Sequence, residues 1–263
     1  MNALIFDCDG VLADTERDGH RVAFNTVFAE YGIEFAWSVE GYSEALKTAG
    51  GKERLQVLLT PEFRRQHGIS DGEVDSLVTS WHTRKTEVFV AMLADGQLPP
   101  RPGVRRLAAE AAEAGWSLAV ASTSAHASVR AVLKHVVGAD LARSFTLFAG
   151  DDVKQKKPAP DIYLRALAGI EVLPSDAVVV EDSEIGVRAA RAAALPVIAT
   201  WSTYTGEEDL SGAGIVVDSL GEPGGPHLAV TTNRSHLPIV DAVVLEHIRG
   251  LLTSSKVGQE VGE

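Results

Sequence analysis

LIFDCDGVLADTE, Leu4 to Glu16, is an oily run that stops at two aspartates one residue apart. Leu, Ile and Phe in a short run read as a buried strand, and Gly10 marks where it stops. Asp7 and Asp9 then stand at the strand's carboxyl end, on one side, roughly 6.6 Å apart at a rise of about 3.3 Å per residue. Carboxylates that close repel each other, raise one pKa, or share a cation. An isolated Asp-x-Asp-Gly is ordinarily an Asx-type turn closing a strand. What stands at the other strand ends separates these readings.

Downstream, Phe24, Val27, Phe28 and Tyr31 recur at helical spacing and Gly32 follows, which predicts an amphipathic helix with a glycine stop. Residues 15–98 carry no convincing strand and read as a helical unit. The Pro/Gly-rich stretch ADGQLPPRPG, Ala94–Gly103, reads as its linker back to the rest of the chain. From there the pattern alternates. Strands are expected at Trp116–Ser122, Ser144–Gly150, Ala177–Asp182, Pro196–Trp201 and Ala213–Ser219, with helices between most of them, including Pro160–Ala168 and Ile185–Ala194. Val/Ile/Leu strands separated by helices imply a doubly wound parallel sheet covered on both faces. The expected organisation is an α/β core of residues 1–14 and 99–263 with a helical cap, residues 15–98, inserted after the first strand. GEPGGP, Gly221–Pro226, reads as a loop, and the last ten or so residues, polar and Gly-rich, are expected to fray.

The chain is long enough to bury a substantial core, and 45% hydrophobic with 23% charged residues is an ordinary globular composition. A formal charge of -12 argues against a nucleic-acid or anionic-membrane surface, so an anionic substrate needs local cations or a metal. The single cysteine, Cys8, cannot form an internal disulfide, and it lies between the two aspartates on the opposite side of the strand as a small core residue. With a strand beginning near residue 3 and no apolar run of ~20 residues, neither a targeting peptide nor a membrane span is expected, and the location is expected to be cytoplasmic.

The other strand ends carry chemistry. Ser122-Thr123-Ser124 closes the second strand with hydroxyls and amides suited to phosphate oxygens. Glu181-Asp182 closes the fourth, and Lys157, just before Pro158, follows the third. Each piece alone is commonplace. Together they put acids, hydroxyls and a lysine on one sheet edge, where ligands of such sheets bind. Oxygen ligands of this kind suit Mg²⁺, and a cation shared by Asp7, Asp9 and Asp182 would offset their repulsion.

With these four motifs in order over nearly its whole length, the chain resembles the haloacid-dehalogenase-like hydrolase superfamily. The resemblance implies that Asp7 is a nucleophile for a phosphoryl group. It makes Asp9 the acid that protonates the leaving alkoxide and later activates water. It implies a Mg²⁺ held by Asp7, the Asp9 carbonyl and Asp182, with Glu181 as a supporting acid. Ser122, Thr123, Ser124 and Lys157 would grip phosphoryl oxygens. An acid at Asp9 argues against leaving groups that need no proton, as in dehalogenases and phosphonatases.

GGKER (Gly50–Arg54), the basic set His82, Arg84 and Lys85, and the first motif further resemble the CbbY-type group, phosphatases for xylulose 1,5-bisphosphate. That resemblance implies substrate contacts from Glu16, Gly50, Gly51, Lys52, Glu53, Arg54, His82, Arg84 and Lys85, the cations holding a distal phosphate. His20 is a further candidate, against a plain helix-surface histidine. The Gly-Gly pair reads as flexible. The implied partner is a small phosphorylated sugar, with no nucleic acid or membrane, acted on by a monomer that clears an inhibitor of the CO₂-fixing carboxylase. Two alternatives stay open: a phosphosugar mutase using the same aspartyl phosphate, and a catalytically silent phosphate-binding module.

Overall fold

Residues 1–260 are described by a computed structural model of the chain. The chain divides into two compact units, residues 1–14 with 99–263 and residues 15–98. β1 (Ala3–Phe6) comes first, followed by the helices of the second unit: α1 (Arg21–Glu30), α2 (Val39–Leu46), α3 (Gly51–Leu58), α4 (Pro61–His67) and α5 (Val74–Ala94). The first unit then resumes with α6 (Val104–Glu113), β2 (Ser117–Ala121), α7 (His126–Val137), α8 (Ala139–Ala142), β3 (Phe145–Phe148) and α9 (Asp161–Ile170). It ends with β4 (Ala177–Glu181), α10 (Glu184–Ala192), β5 (Val197–Thr200), β6 (Ile215–Val217), β7 (Val230–Asn233) and α11 (Leu245–Glu260). The frayed end expected from composition falls partly on residues 261–263, which lie outside the described residues; the backbone before them is helical to Glu260.

The sheet runs β3-β2-β1-β4-β5-β6-β7, parallel except for β7. All six expected strands are present, and β7 and α11 are additions to the expected set. The order reverses direction at β1, the kind of crevice where doubly wound sheets bind ligands. Phe6 pairs with Val120 on one side and Val180 on the other, so the carboxyl ends of β1, β2 and β4 stand level. That register delivers Asp7, Ser122 and Glu181-Asp182 to one edge.

The central strands β1, β2 and β4 are buried on both faces, which is why they are near-continuous apolar runs without polar alternation. Ala3, Ile5, Ala119, Val179 and Val197 pack against Ile162, Tyr163, Ala166 and Leu167 of α9 and Val187, Ala189 and Ala190 of α10. α6 and α11 pack on the sheet and on each other. α6 buries Val104, Leu107, Ala108 and Ala111, one helical stripe.

The helical unit has an aromatic core of its own. Trp37 lies edge-on to Phe24 at 5.1 Å and to Phe28 at 5.3 Å, and Trp81 closes on Phe28 at 5.5 Å. Tyr31, placed on the helical stripe by its spacing, caps α1 and is largely exposed. Among the described residues no helix is long and apolar enough to cross a membrane.

Candidate active site

Lys157, in the loop after β3, is buried and spends its three donors inside the protein. Its Nζ donates to Asp7 Oδ1 at 2.5 Å, to Glu181 Oε1 at 2.6 Å and to the Ala121 carbonyl at 3.3 Å. It thus ties together the ends of β1, β2 and β4.

Glu181 is fully hydrogen-bonded. Its Oε1 accepts from Lys157 and from the Tyr163 hydroxyl at 2.5 Å, and its Oε2 from the Asp182 amide at 2.9 Å and from Ser183. Gly186 makes this possible, because a Cβ there would fall 2.0 Å from the Glu181 carboxylate. With its lone pairs engaged, Glu181 braces Lys157 and the turn into α10 rather than presenting oxygens to a ligand.

Asp182 packs on the backbone of Gly10, where a Cβ would sit 1.9 Å from Asp182 Oδ2. Gly10 also has φ +82°, so glycine is required there both for conformation and for space. Asp9 accepts a hydrogen bond at Oδ2 from the Ser124 hydroxyl. The Ser124 amide in turn donates to Ser122 Oγ at 3.1 Å. Thr123 belongs to the same turn, and its carbonyl would lie 2.2 Å from a Cβ on Gly150, so that glycine lets the loop after β3 close on Ser122–Ser124.

One oxygen each from Asp7, Glu181 and Asp182 lies within 4.8 Å of the others, all three residues buried. One lysine cannot neutralise three buried carboxylates. Burial, with Glu181 and Asp9 adding repulsion, pushes Asp7 up to about 8 against the pull of Lys157. Burial and the charges of Glu181 and Asp7 likewise hold Asp182 well above the usual carboxylate range. Burial works against charged Lys157, but Asp7 and Glu181 more than offset it and raise its pKa. Glu181 goes the other way: burial opposes its charge, and Lys157 with the other donors overcomes it. A hard divalent cation would supply what Asp7 and Asp182 lack, and an all-oxygen donor set suits Mg²⁺.

In the helical unit the candidates fall into separate groups. Arg54 is buried, donating to the Thr48 carbonyl at 3.0 Å, to Tyr42 Oη at 2.9 Å and to Glu16 Oε1 at 3.2 Å. Tyr42 also donates to Glu16 at 2.8 Å, closing a triangle. Lys85 is buried with its ammonium 4.9 Å from the ring centre of Phe24 and 5.5 Å from that of Phe89. His20 packs against the same Phe89, ring centres 4.0 Å apart, and is 1% exposed, so it is not a helix-surface residue.

The Gly-Gly pair is not a flexible hinge but a packing device. Gly50 has φ +97° and a Cβ there would meet Glu53 Oε2 at 2.1 Å, while one on Gly51 would meet the His82 ring at 2.9 Å. Lys52 stands beside them in the first turn of α3. Arg84 is apart from all of these. Its guanidinium makes a bidentate pair with Glu30, at 2.8 and 2.9 Å, and a further bond to Glu87 at 2.8 Å. Glu30 and Glu87 already answer its charge.

Tyr163, Ser202 and Tyr42 contact candidate residues directly and were not read as such from sequence. Ser202 follows β5 and so carries the same strand-end signal as Ser122. Tyr163 and Tyr42 have no local signal, since their partners lie 18 and 26 residues away.

A model of the haloacid dehalogenase-like hydrolases matches residues 1–194. The chain is 43% identical over 223 residues to a CBBY-like protein of Arabidopsis thaliana, covering 84% of this chain and 70% of that protein. It is 41% identical over 230 residues to protein CbbY of Cupriavidus necator, covering 86% and 88%. Among solved structures it is similar to CbbY from Rhodobacter sphaeroides in complex with phosphate, with 40% identity, TM-score 0.74, and coverage of 83% and 94%. A mutant of that protein in complex with xylulose-(1,5)bisphosphate matches to the same extent.

Proposed function

The chain belongs to the haloacid dehalogenase-like hydrolases, in their CbbY-type group, and on that premise we propose a Mg²⁺-dependent phosphatase of sugar bisphosphates. Its substrate is xylulose 1,5-bisphosphate, hydrolysed to xylulose 5-phosphate. The observation that supports this best is Lys157 bridging Asp7 and Glu181 within a buried acidic trio. The relatives add that a CbbY protein has been crystallised with that bisphosphate.

Asp7 attacks phosphorus and takes the phosphoryl group as an aspartyl phosphate. Lys157 beside it offsets the charge that would otherwise repel the attacking carboxylate from the phosphate. Asp9, two residues on, gives a proton to the departing sugar oxygen and afterwards takes one from the water that cleaves the acyl phosphate. Ser122, Thr123 and Ser124 bind the phosphoryl oxygens, and the Ser124 hydroxyl orients Asp9. Mg²⁺ would be held by Asp7, Asp182 and the Asp9 carbonyl, where it supplies positive charge to the phosphoryl oxygens. Glu181 takes no part in the proton transfers and keeps Lys157 in place. Residues of the helical unit, with the buried Glu16–Arg54 pair and Lys85 foremost, take part in choosing the sugar.

The test is phosphate release from a panel of sugar mono- and bisphosphates with Mg²⁺ present. Fastest release from xylulose 1,5-bisphosphate is expected. Release from none of them would overturn the proposal, and sugar isomers formed without free phosphate would replace it with a mutase.

A further inference from the structure

The segment after β5 reaches three separate parts of the first unit within five residues. Ser202 Oγ donates to Asp182 Oδ2 at 2.7 Å, and Thr205 Oγ1 lies 3.5 Å from the same oxygen. Thr205 also holds Ser202, accepting its amide at 2.8 Å and meeting its hydroxyl at 3.1 Å. Thr203 donates to Asp14 Oδ2 through its amide at 3.0 Å and through its hydroxyl. The carbonyl of Trp201 takes a 2.9 Å bond from Arg101, whose same nitrogen donates to the Asp218 carbonyl at 2.6 Å. Arg101 is fastened in turn through its amide to the Leu12 carbonyl at 3.0 Å.

Residues 12–14 and 99–101 are the two stretches where the first unit's chain is interrupted. The segment 201–205 therefore bonds to both of them and to Asp182 at once. Ser202 and Thr205 are both buried, so the bonds they make with Asp182 do not compete with bulk water. A carboxylate gripped at one oxygen from this side, and packed on Gly10 at the same oxygen, is restrained from turning about its own axis.

We infer that Ser202 is a positioning residue for the cation site: it fixes the orientation of Asp182, and Thr205, Thr203–Asp14 and Arg101 hold Ser202 in place. This rests on the reading that Asp7 and Asp182 hold Mg²⁺. Groups that orient a metal ligand typically govern ~10–100-fold in metal affinity when removed.

The experiment is calorimetric titration of Mg²⁺ into the metal-free full chain, with the melting temperature of each variant recorded with and without Mg²⁺. Ser202→Ala should bind Mg²⁺ about 10–100-fold more weakly, and turnover lost at low Mg²⁺ should return at high Mg²⁺. Ser202→Thr, which keeps the hydroxyl, should stay closer to the wild type than Ser202→Ala. Thr203→Val, which loosens the segment without touching Asp182, should show a smaller loss than Ser202→Ala. Wild-type Mg²⁺ affinity in Ser202→Ala would overturn the inference, as would equal losses in Ser202→Ala and Ser202→Thr. If Ser202→Ala melts too low to titrate, Thr205→Val serves as the second variant, and an unchanged Mg²⁺ affinity there overturns the inference as well. Failure of the wild type to bind Mg²⁺ at all is a different result, and it would overturn the metal reading itself together with this inference.

Discussion

Lys157 and Glu181 form an ion pair 2.6 Å long with side-chain exposures of 5% and 0%. Removing one partner of such a pair strands the other charge, at a typical cost of about 3–5 kcal/mol. Lys157→Met and Glu181→Leu should therefore each lower the urea midpoint strongly in metal-free protein. The double variant should recover part of the loss, because no unpaired charge remains at that contact. A double variant as unstable as the sum of the two singles would show that the pair is not a unit.

The two aspartates of the first motif should fail differently. Asp7→Asn replaces the attacking carboxylate with a poor nucleophile, and turnover should vanish. Asp9→Asn removes proton transfer, which typically costs ~10²–10⁴-fold, while leaving substrate binding largely intact. Near-normal phosphate release by the Asp7 variant would refute a covalent route.

Metal-free protein should lose stability as pH rises. Asp7 is raised from 3.8 to about 8, so the folded state holds its proton more tightly than the unfolded chain does. Its contribution is fully present below 3.8 and is lost as pH climbs towards about 8, and raised Asp182 acts in the same direction. Glu181, lowered from 4.5, has the opposite sign, but its contribution is lost only as pH falls below that value. In EDTA the melting temperature should thus fall between pH 5 and 8, and Mg²⁺ should restore it most at the upper end. A melting temperature that climbs over this interval in EDTA would contradict the assignment.

Arg54 and Arg84 should part company. Charge-assisted bonds are worth ~1.5–3 kcal/mol, or roughly 10- to 150-fold in an equilibrium or rate ratio. Arg54→Ala leaves Glu16 and Tyr42 without their shared partner, so a loss in kcat/KM on the bisphosphate should come with a lowered melting temperature. Arg84→Ala breaks a pairing at the surface with Glu30 and Glu87, and kcat/KM should stay near wild type for both the bisphosphate and a small aryl phosphate. A selective collapse of bisphosphate turnover in Arg84→Ala would return that residue to the substrate-binding set.

Much of the core was legible because its signals are local. Each parallel strand is a short, mostly apolar run closely followed by an acid, a serine or a glycine, and a parallel sheet sends all such ends to one edge. Partnerships were not legible, because they join residues far apart: Glu16 with Arg54, Tyr163 with Glu181, Ser202 with Asp182. A cluster of basic residues in sequence says nothing about which charges are already answered, and Arg84 is answered where Lys85 is laid over aromatic rings. β7 escaped because its residues are mostly exposed and carry no buried face to betray it. α11 did carry a signal, Leu245, Ile248, Leu251 and Leu252 at helical spacing, running into a polar, Gly-rich end that has no apolar stripe to extend it.

Cys8, the chain's one thiol, lies between Asp7 and Asp9 and is 0% exposed. Alkylating reagents and oxidants reach it only when the buried turn after β1 opens. The speed of thiol labelling in native buffer is therefore a clock for that opening, read without any engineered probe. Substrate or Mg²⁺ bound a residue away should slow the clock, which makes ligand binding measurable by mass spectrometry even in a variant that no longer turns over.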